Sequence, residues 1–212
     1  LLAQIAQAPL SATEQIFGQR FGQRGAGYQP PTTVWSIDHD CNYETPTVEN
    51  FVLHTLLQEQ GGWGIHSENA LLKTFTGLIY WGAIFAPVPG AFTNPFQSAP
   101  HDLMAPEFAS TRVKQLQTIE ARAADDRALV ELMQDTASEK WGTANPLVSW
   151  GLLQSVSLDD WLEAVPTGWV RRLSAFLIRN LNDYRKGFPD LFLCYDDHRA
   201  EFVEVKGPTD QI

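Results

Sequence analysis

The residues with types and spacing suited to chemistry lie in one stretch, GFPDLFLCYDDHRAEFVEVKGPTDQI, from Gly187 to Ile212. It holds two acids, Asp190 and Glu204, with Lys206 two residues beyond the second. Hard divalent cations take carboxylate oxygens, and Mg²⁺ is commonly held by one or two carboxylates plus phosphate oxygens of a substrate. Such an ion activates a water and neutralises charge building on phosphorus. A lysine beside it positions that water or stabilises the developing negative charge. The pattern therefore points to metal-assisted phosphodiester hydrolysis. A bare Glu-x-Lys is common as a surface ion pair on an exposed strand. A Pro-Asp, an apolar run, a polar tip and Glu-Val-Lys in one short span form a stronger signal.

The elements that must position these residues follow from the same stretch. Gly187-Phe188-Pro189 breaks the preceding structure, Leu191 to Tyr195 is apolar, and Asp196, Asp197, His198 and Arg199 form a polar tip before Ala200 to Lys206. Two extended runs around a short tip predict a β-hairpin, closed by Gly207-Pro208. Residues two apart on a strand share a face. Glu204 and Lys206 thus project together with Phe202, on a half-buried face where charge is costly to place, and Glu201, Val203 and Val205 point the other way. An odd tip centred near Asp197 would set Asp190 opposite Glu204. A two-residue turn would pair Asp190 with Val205 and aim it away.

These motifs resemble the PD-(D/E)xK nuclease signature. GFPDLFL followed by FVEVKGPTDQ is similar to the VRR-NUC branch, and within it to the Fanconi-associated nucleases, which are structure-selective DNA nucleases of interstrand-crosslink repair. The resemblance implies that Asp190, Glu204 and Lys206 are catalytic and that the backbone carbonyl of Val205 is a metal ligand. Gly64-Ile65-His66-Ser67-Glu68 resembles the family's Gly-x-His-x-Glu segment, which opens a helix and supplies a further acid. That implies a catalytic and metal-binding role for Glu68. The stretches LIYWGAIFAPVPGAF and NPFQSAPHDL are similar to the family as well. The implied cofactor is Mg²⁺ or Mn²⁺, one or two ions per site. The implied partner is branched or flapped double-stranded DNA, cut at 5′ flaps and nibbled 5′→3′. Read from the residues alone, an acid in the first turn of a helix is favoured by the helix dipole. His66 reads as structural, because Mg²⁺ prefers oxygen.

Composition bounds the rest. The 212 residues, 44% hydrophobic and 19% charged, suit one globular domain or a domain with an appendage. No run approaches the roughly 18 apolar residues of a membrane span, and no membrane partner is expected. No basic segment followed by an apolar core opens the chain. Cys41 and Cys194 are too few for a disulfide framework, so thiols in a reducing compartment are expected, the cytoplasm of a bacterium or the nucleus of a eukaryote. The net charge of −10 does not suggest nucleic acid. Its distribution does more: 8 basic and 18 acidic residues up to Ala164, then 7 of each from Val165 onward. Arg171, Arg172, Arg179, Arg185 and Lys186 gather just before the hairpin, and Arg172, Arg179, Arg185 and Lys186 are expected to face DNA. Gln97, in a proline- and aromatic-rich loop from Gly90 to Pro106, is a further candidate contact, against its reading as a solvated loop residue. Upstream DNA-binding domains, absent from this chain, are expected to supply most phosphate contacts.

In chain order, residues 1 to 45 read as a connector from an upstream module, with a short strand near Thr33 to Cys41 whose Asp38, His39 and Asp40 form an acidic turn. Thr47 caps a helix that Gly61-Gly62 closes. Ser67 is expected to cap a second helix beginning at Glu68, with Leu71, Leu72, Phe75, Leu78 and Ile79 as its buried stripe. Two helices follow between Glu107 and Trp141, with Arg112, Lys114, Arg122, Arg127 and Lys140 on exposed faces. Asn145-Pro146 starts another, Ser157 a short one, and Pro166 the first turn of a helix through Leu181. The tryptophans read as core. The expected fold is α/β and restriction-endonuclease-like. It has a small mixed sheet flanked by helices, a nuclease domain over 46–212, and a helical insertion over about 90–166. In the family a helix follows the Glu-Val-Lys strand, and this chain stops at or before it. Two other readings remain open: a non-catalytic DNA-binding or scaffolding module, and a junction resolvase of the VRR-NUC type.

Overall fold

The computed structural model describes residues 47–197 and 199–206. The connector over 1–45, the strand near Thr33 to Cys41, His198 and the residues from Gly207 onward lie outside these. The chain divides into two units, Leu1–His66 with Asp190–Ile212, and Ser67–Pro189.

The first unit is a sheet under one helix. Helix α1, Val48–Gln60, starts where Thr47 accepts a hydrogen bond from the Asn50 N–H at 3.3 Å, as an N-cap threonine does. Strand β1 is Trp63–His66, β2 is Leu191–Cys194 and β3 is Ala200–Val203. Among the described residues they form one sheet in the order β1-β2-β3, antiparallel throughout. Val52 and Leu56 of α1 pack on Leu191, Leu193 and Tyr195. Full burial of such side chains contributes roughly 1.5–3 kcal/mol each. On the opposite face of β2, Phe192 meets Trp63 with ring centroids 5.6 Å apart and Phe202 at 5.0 Å.

Two glycines let β1 approach so closely. Gly62 sits at φ +89, and a Cβ there would lie 2.2 Å from the Cys194 carbonyl oxygen. A Cβ on Gly64 would lie 2.8 Å from Leu53 Cδ1 of α1. The stretch Trp63 to His66 is given no element of its own by the sequence pattern. It is a strand because its four backbone groups find the free edge of β2, from Trp63 opposite Cys194 to His66 opposite Leu191.

The second unit is helical. Helix α2, Ala70–Ile79, is followed by α3, Trp81–Ile84, then a 3₁₀ turn, Ser110–Arg112, running into α4, Val113–Arg122. Then come α5, Asp126–Lys140; α6, Trp150–Ser155; α7, Leu158–Ala164; α8, Thr167–Leu177; and α9, Leu181–Tyr184. The expected stripe of α2, from Leu71 to Ile79, is buried. The helix packs against α5 and α8. No helix among the described residues is long and apolar enough to cross a membrane.

Five expectations here are corrected. Helix α2 begins at Ala70, not Glu68, because Glu68 takes a left-handed backbone at φ 36. Ser67 Oγ caps nothing and is buried without a hydrogen-bond partner among the described residues. The helix expected from Asn145 starts only at Trp150, because Asn145 Oδ1 accepts the Leu147 N–H at 2.9 Å and holds a turn instead, and Ser149 is the cap. Arg112 is not on an exposed face. It is fully buried, with Asp102 at 2.6 Å and the Ala83 carbonyl at 2.9 Å. Finally, Trp141 is half-exposed rather than core, at the outer end of an aromatic row through Trp150 and Trp81.

Candidate active site

The register of the hairpin decides where its acids point. Leu191 pairs with Val203 and Cys194 with Ala200, and the Tyr195 N–H bonds the Arg199 carbonyl at 2.9 Å. The tip is therefore odd and centred on Asp197. Continuing the register by one residue sets Asp190 opposite Glu204, on the face that carries Phe192 and Phe202. Of the two registers considered, the structure has the one that brings the acids together.

The ladder stops at Val203, three residues short of the expected strand end at Lys206. The residue before Asp190 is Pro189, which brings no N–H to a ladder. The Val205 N–H bonds the Asp190 side chain instead, at Oδ2 and 2.9 Å. No hydrogen bond to Asp190 Oδ1 or to the Val205 carbonyl is seen among the described residues. Lys206 Nζ lies 2.6 Å from Glu204 Oε1, with both side chains about half exposed, 48% and 49%. The face bearing the pair is thus wetter than the hydrophobic run suggested, and burial is not what marks these residues.

At the other end of the hairpin, the Tyr195 hydroxyl donates to Glu201. Arg199 lies over the Tyr195 ring, 4.5 Å from its centroid, and bonds Gln60 of α1. Burial, then the Glu201 hydrogen bond, pushes the Tyr195 hydroxyl well above its ordinary range. Burial likewise raises the Cys194 thiol.

Asp190, Glu204, Val205 and Lys206 belong to the first unit. Glu68 is in the second, exposed, in the connection between β1 and α2. Its Oε1 accepts from Asn69 Nδ2 at 2.9 Å, and Asn69 Oδ1 accepts the Phe188 N–H at 3.3 Å. Asn69 had drawn no attention in the sequence. The available signal was a capping-type residue directly after the candidate acid.

The residues expected to face DNA differ in their engagements. Arg185 and Lys186 are exposed just after α9. Arg179 is held by Glu120 at 2.6 Å, and Glu120 also accepts from the Tyr80 hydroxyl at 3.2 Å. Arg172 is half-buried on α8. Gln97 spends its amide on its own loop: Oε1 accepts from the Thr93 N–H and hydroxyl, and Nε2 donates to the Ala91 and Ala99 carbonyls.

Among the described residues no group of three or more His, Cys, Asp or Glu is assembled that would hold a metal ion by protein side chains alone. Two carboxylates, each with an oxygen left over, and one carbonyl make a sparse set of hard oxygen donors. That set fits Mg²⁺ or Mn²⁺, which complete their shells with water and substrate phosphate. It lacks the nitrogen and sulfur ligands that most zinc sites include.

Comparison with known proteins finds nucleases. The VRR-NUC domain model matches residues 123–212. A Fanconi-associated nuclease 1 homolog of Pseudomonas aeruginosa is 34% identical over 156 residues, covering 73% of this chain and 28% of that protein. The homolog of Oryza sativa subsp. japonica is 37% identical over 174 residues, covering 78% of this chain and 18% of its own length. The crystal structure of paFAN1 bound to 1nt 5'flap DNA with gap superposes with a TM-score of 0.75 at 28% identity, over 100% of this chain and 41% of the other. This chain thus spans less than half of each of these proteins. The fold is restriction-endonuclease-like, and the chain belongs to the Fanconi-associated nuclease family, in the region that carries the VRR-NUC domain.

Proposed function

We propose that this chain is the catalytic part of a metal-dependent nuclease that hydrolyses phosphodiesters in flapped double-stranded DNA and serves interstrand-crosslink repair. The observation that carries the reading is the hairpin: a register with Leu191 opposite Val203 that, continued by one residue, puts Asp190 across from Glu204, Asp190 oriented by the Val205 N–H, and Lys206 on Glu204. Asp190, Glu204 and the Val205 carbonyl would hold Mg²⁺ or Mn²⁺, and Glu68 is proposed as a further acid for the same or a second ion. When bound, the ion supplies an activated water and neutralises charge at the phosphorus. Lys206 orients the attacking water through a hydrogen bond from Nζ, while Glu204 holds Lys206 in place. The substrate is supported by relatives of the same family, one of them solved on a 5' flap. Exposed Arg185 and Lys186 are proposed to contact phosphates, with upstream parts of the protein supplying the rest of the DNA grip.

The test is cleavage of a labelled 5′-flap duplex in Mn²⁺ by the native protein, by Asp190→Ala and in EDTA. Cutting near the flap junction that vanishes in both controls is the expected result. Binding of the flap by native, folded protein without any cut would replace this reading by that of a DNA-binding module. Cleavage of four-way junctions but not flaps would make the protein a resolvase.

A further inference from the structure

Three consecutive residues between β1 and α2 each depart from a local rule. Ser67 buries a hydroxyl with no hydrogen-bond partner among the described residues, whereas buried polar atoms are normally bonded. Glu68 is the one non-glycine among the described residues at positive φ, 36°. Asn69 occupies the N-cap position of α2, in a helical rather than extended backbone, and its side chain caps nothing. An N-cap asparagine ordinarily accepts an N–H from the first turn. Departures of this kind gather at functional sites, where the surrounding structure holds them against their cost.

The Asn69 amide is used elsewhere. Nδ2 donates to Glu68 Oε1 at 2.9 Å, and Oδ1 accepts the N–H of Phe188, 119 residues away in sequence. Only one orientation of the amide satisfies both partners. Reversed, it would set an oxygen against a carboxylate and an NH₂ against an N–H. Phe188 lies two residues before Asp190 in the chain. One side chain therefore fixes the direction of the Glu68 carboxylate and tethers the segment that runs into Asp190.

We propose that Asn69 is a positioning residue for hydrolysis, acting through Glu68, whose carboxylate it orients by donating from Nδ2. The inference rests on the reading of Glu68 as a metal-binding acid. Groups that orient metal ligands are worth about 10- to 100-fold in metal affinity or activity, which sets the size of the expected effect.

Two variants separate orientation from mere tethering. Asn69→Asp keeps an oxygen for the Phe188 N–H but puts a carboxylate where Glu68 had a donor. Asn69→Ala removes both bonds. Each is measured for flap cleavage as kcat and KM, for Mn²⁺ binding by calorimetry without DNA, and for melting temperature. The expected result is a kcat about 10- to 100-fold lower in both, with KM for DNA unchanged. Mn²⁺ binding is expected to weaken in Asn69→Ala, and the melting temperature of Asn69→Asp to stay native. Native kcat in Asn69→Asp, with Asn69→Ala losing activity only as far as it loses stability, would overturn the proposal and leave Asn69 a tether. Where native protein cuts and Asp190→Ala does not, those Asn69 results would sink the proposal for Asn69 and leave the reading of the site standing. If native protein does not cut, the reading of the site fails and Asn69 falls with it.

Discussion

The Val205 N–H donates to Asp190 Oδ2 at 2.9 Å, so the residue proposed to offer its carbonyl to a metal also aims the neighbouring acid through its N–H. Asp190 therefore has two duties that substitution can separate. Asp190→Asn keeps an acceptor for Val205 and should melt close to the native protein, while cleavage falls by more than the about 100-fold typical of an outer partner. Asp190→Ala should lose cleavage and a further ~1 kcal/mol in urea unfolding, because the N–H loses its acceptor. Equal destabilisation by Asn and Ala would show that Val205 does not orient the acid.

Lys206 offers the opposite balance. Its ion pair with Glu204 is half exposed, and pairs of that kind contribute about 0–1 kcal/mol. Lys206→Met is expected to leave unfolding almost unchanged and to lower kcat by about 100- to 1000-fold, the usual effect of losing a group that stabilises developing charge. Mn²⁺ affinity, measured separately, should not fall.

In the second unit, Arg112 is fully buried and forked onto Asp102 through two nitrogens, with the Ala83 and Phe108 carbonyls taking further N–H bonds. Removing Asp102 strands a buried cation, so Asp102→Ala should cost about 3–5 kcal/mol in chemical denaturation. Arg112→Lys should also destabilise clearly, since an ammonium cannot reproduce the planar fork. Replacing both partners together, Arg112→Met with Asp102→Leu, is expected to cost less than either single loss.

Alkaline pH should weaken the fold. Tyr80, Tyr195 and Cys194 are all raised by burial first. Glu120 adds to it for Tyr80, Glu201 for Tyr195 and Asp197 for Cys194. Their ordinary values are 10.0, 10.0 and 9.0. The unfolded chain gives up these protons at lower pH than the folded one, so it binds fewer of them in this range. Stability is thus fully present below about pH 9 and declines as pH rises. Urea midpoints at about pH 8 and about pH 10.5 should differ in that direction, and Tyr195→Phe should shrink the difference. A midpoint that rises with pH would contradict the assignment.

How far the sequence could be read depended on the range of the force at work. The hairpin was legible because strand alternation has a period of two residues and one tip sets the whole register, which left only two choices for Asp190. Helix α2 was legible because Leu71, Leu72, Phe75, Leu78 and Ile79 mark its inner face at helical spacing. Strand β1 was not, since Trp63 to His66 is four residues long with a glycine inside, and only the edge of β2, far along the chain, makes it a strand. The burial of Arg112 escaped for a similar reason. A charged residue in an alternating run reads as solvated until a loop folds Asp102 onto it. The left-handed backbone of Glu68, which keeps it out of the helix, was not readable, because nothing local to Ser67-Glu68-Asn69 dictates it.

The order of synthesis adds a last consequence of pairing β1 with β2. His66 and its partner Leu191 are separated by the whole second unit. While that unit is being made, α1 and β1 lack the β2 residues on which Val52 and Leu56 pack in the folded protein. Contacts of such wide sequence separation form slowly, and exposed strand edges on a waiting segment invite pairing with other chains. Nascent protein should therefore rely on chaperones until residues Leu191 to Val203 emerge. Under the proposed function, a chain halted before β3 would lack the carboxylate pair and should not cut DNA.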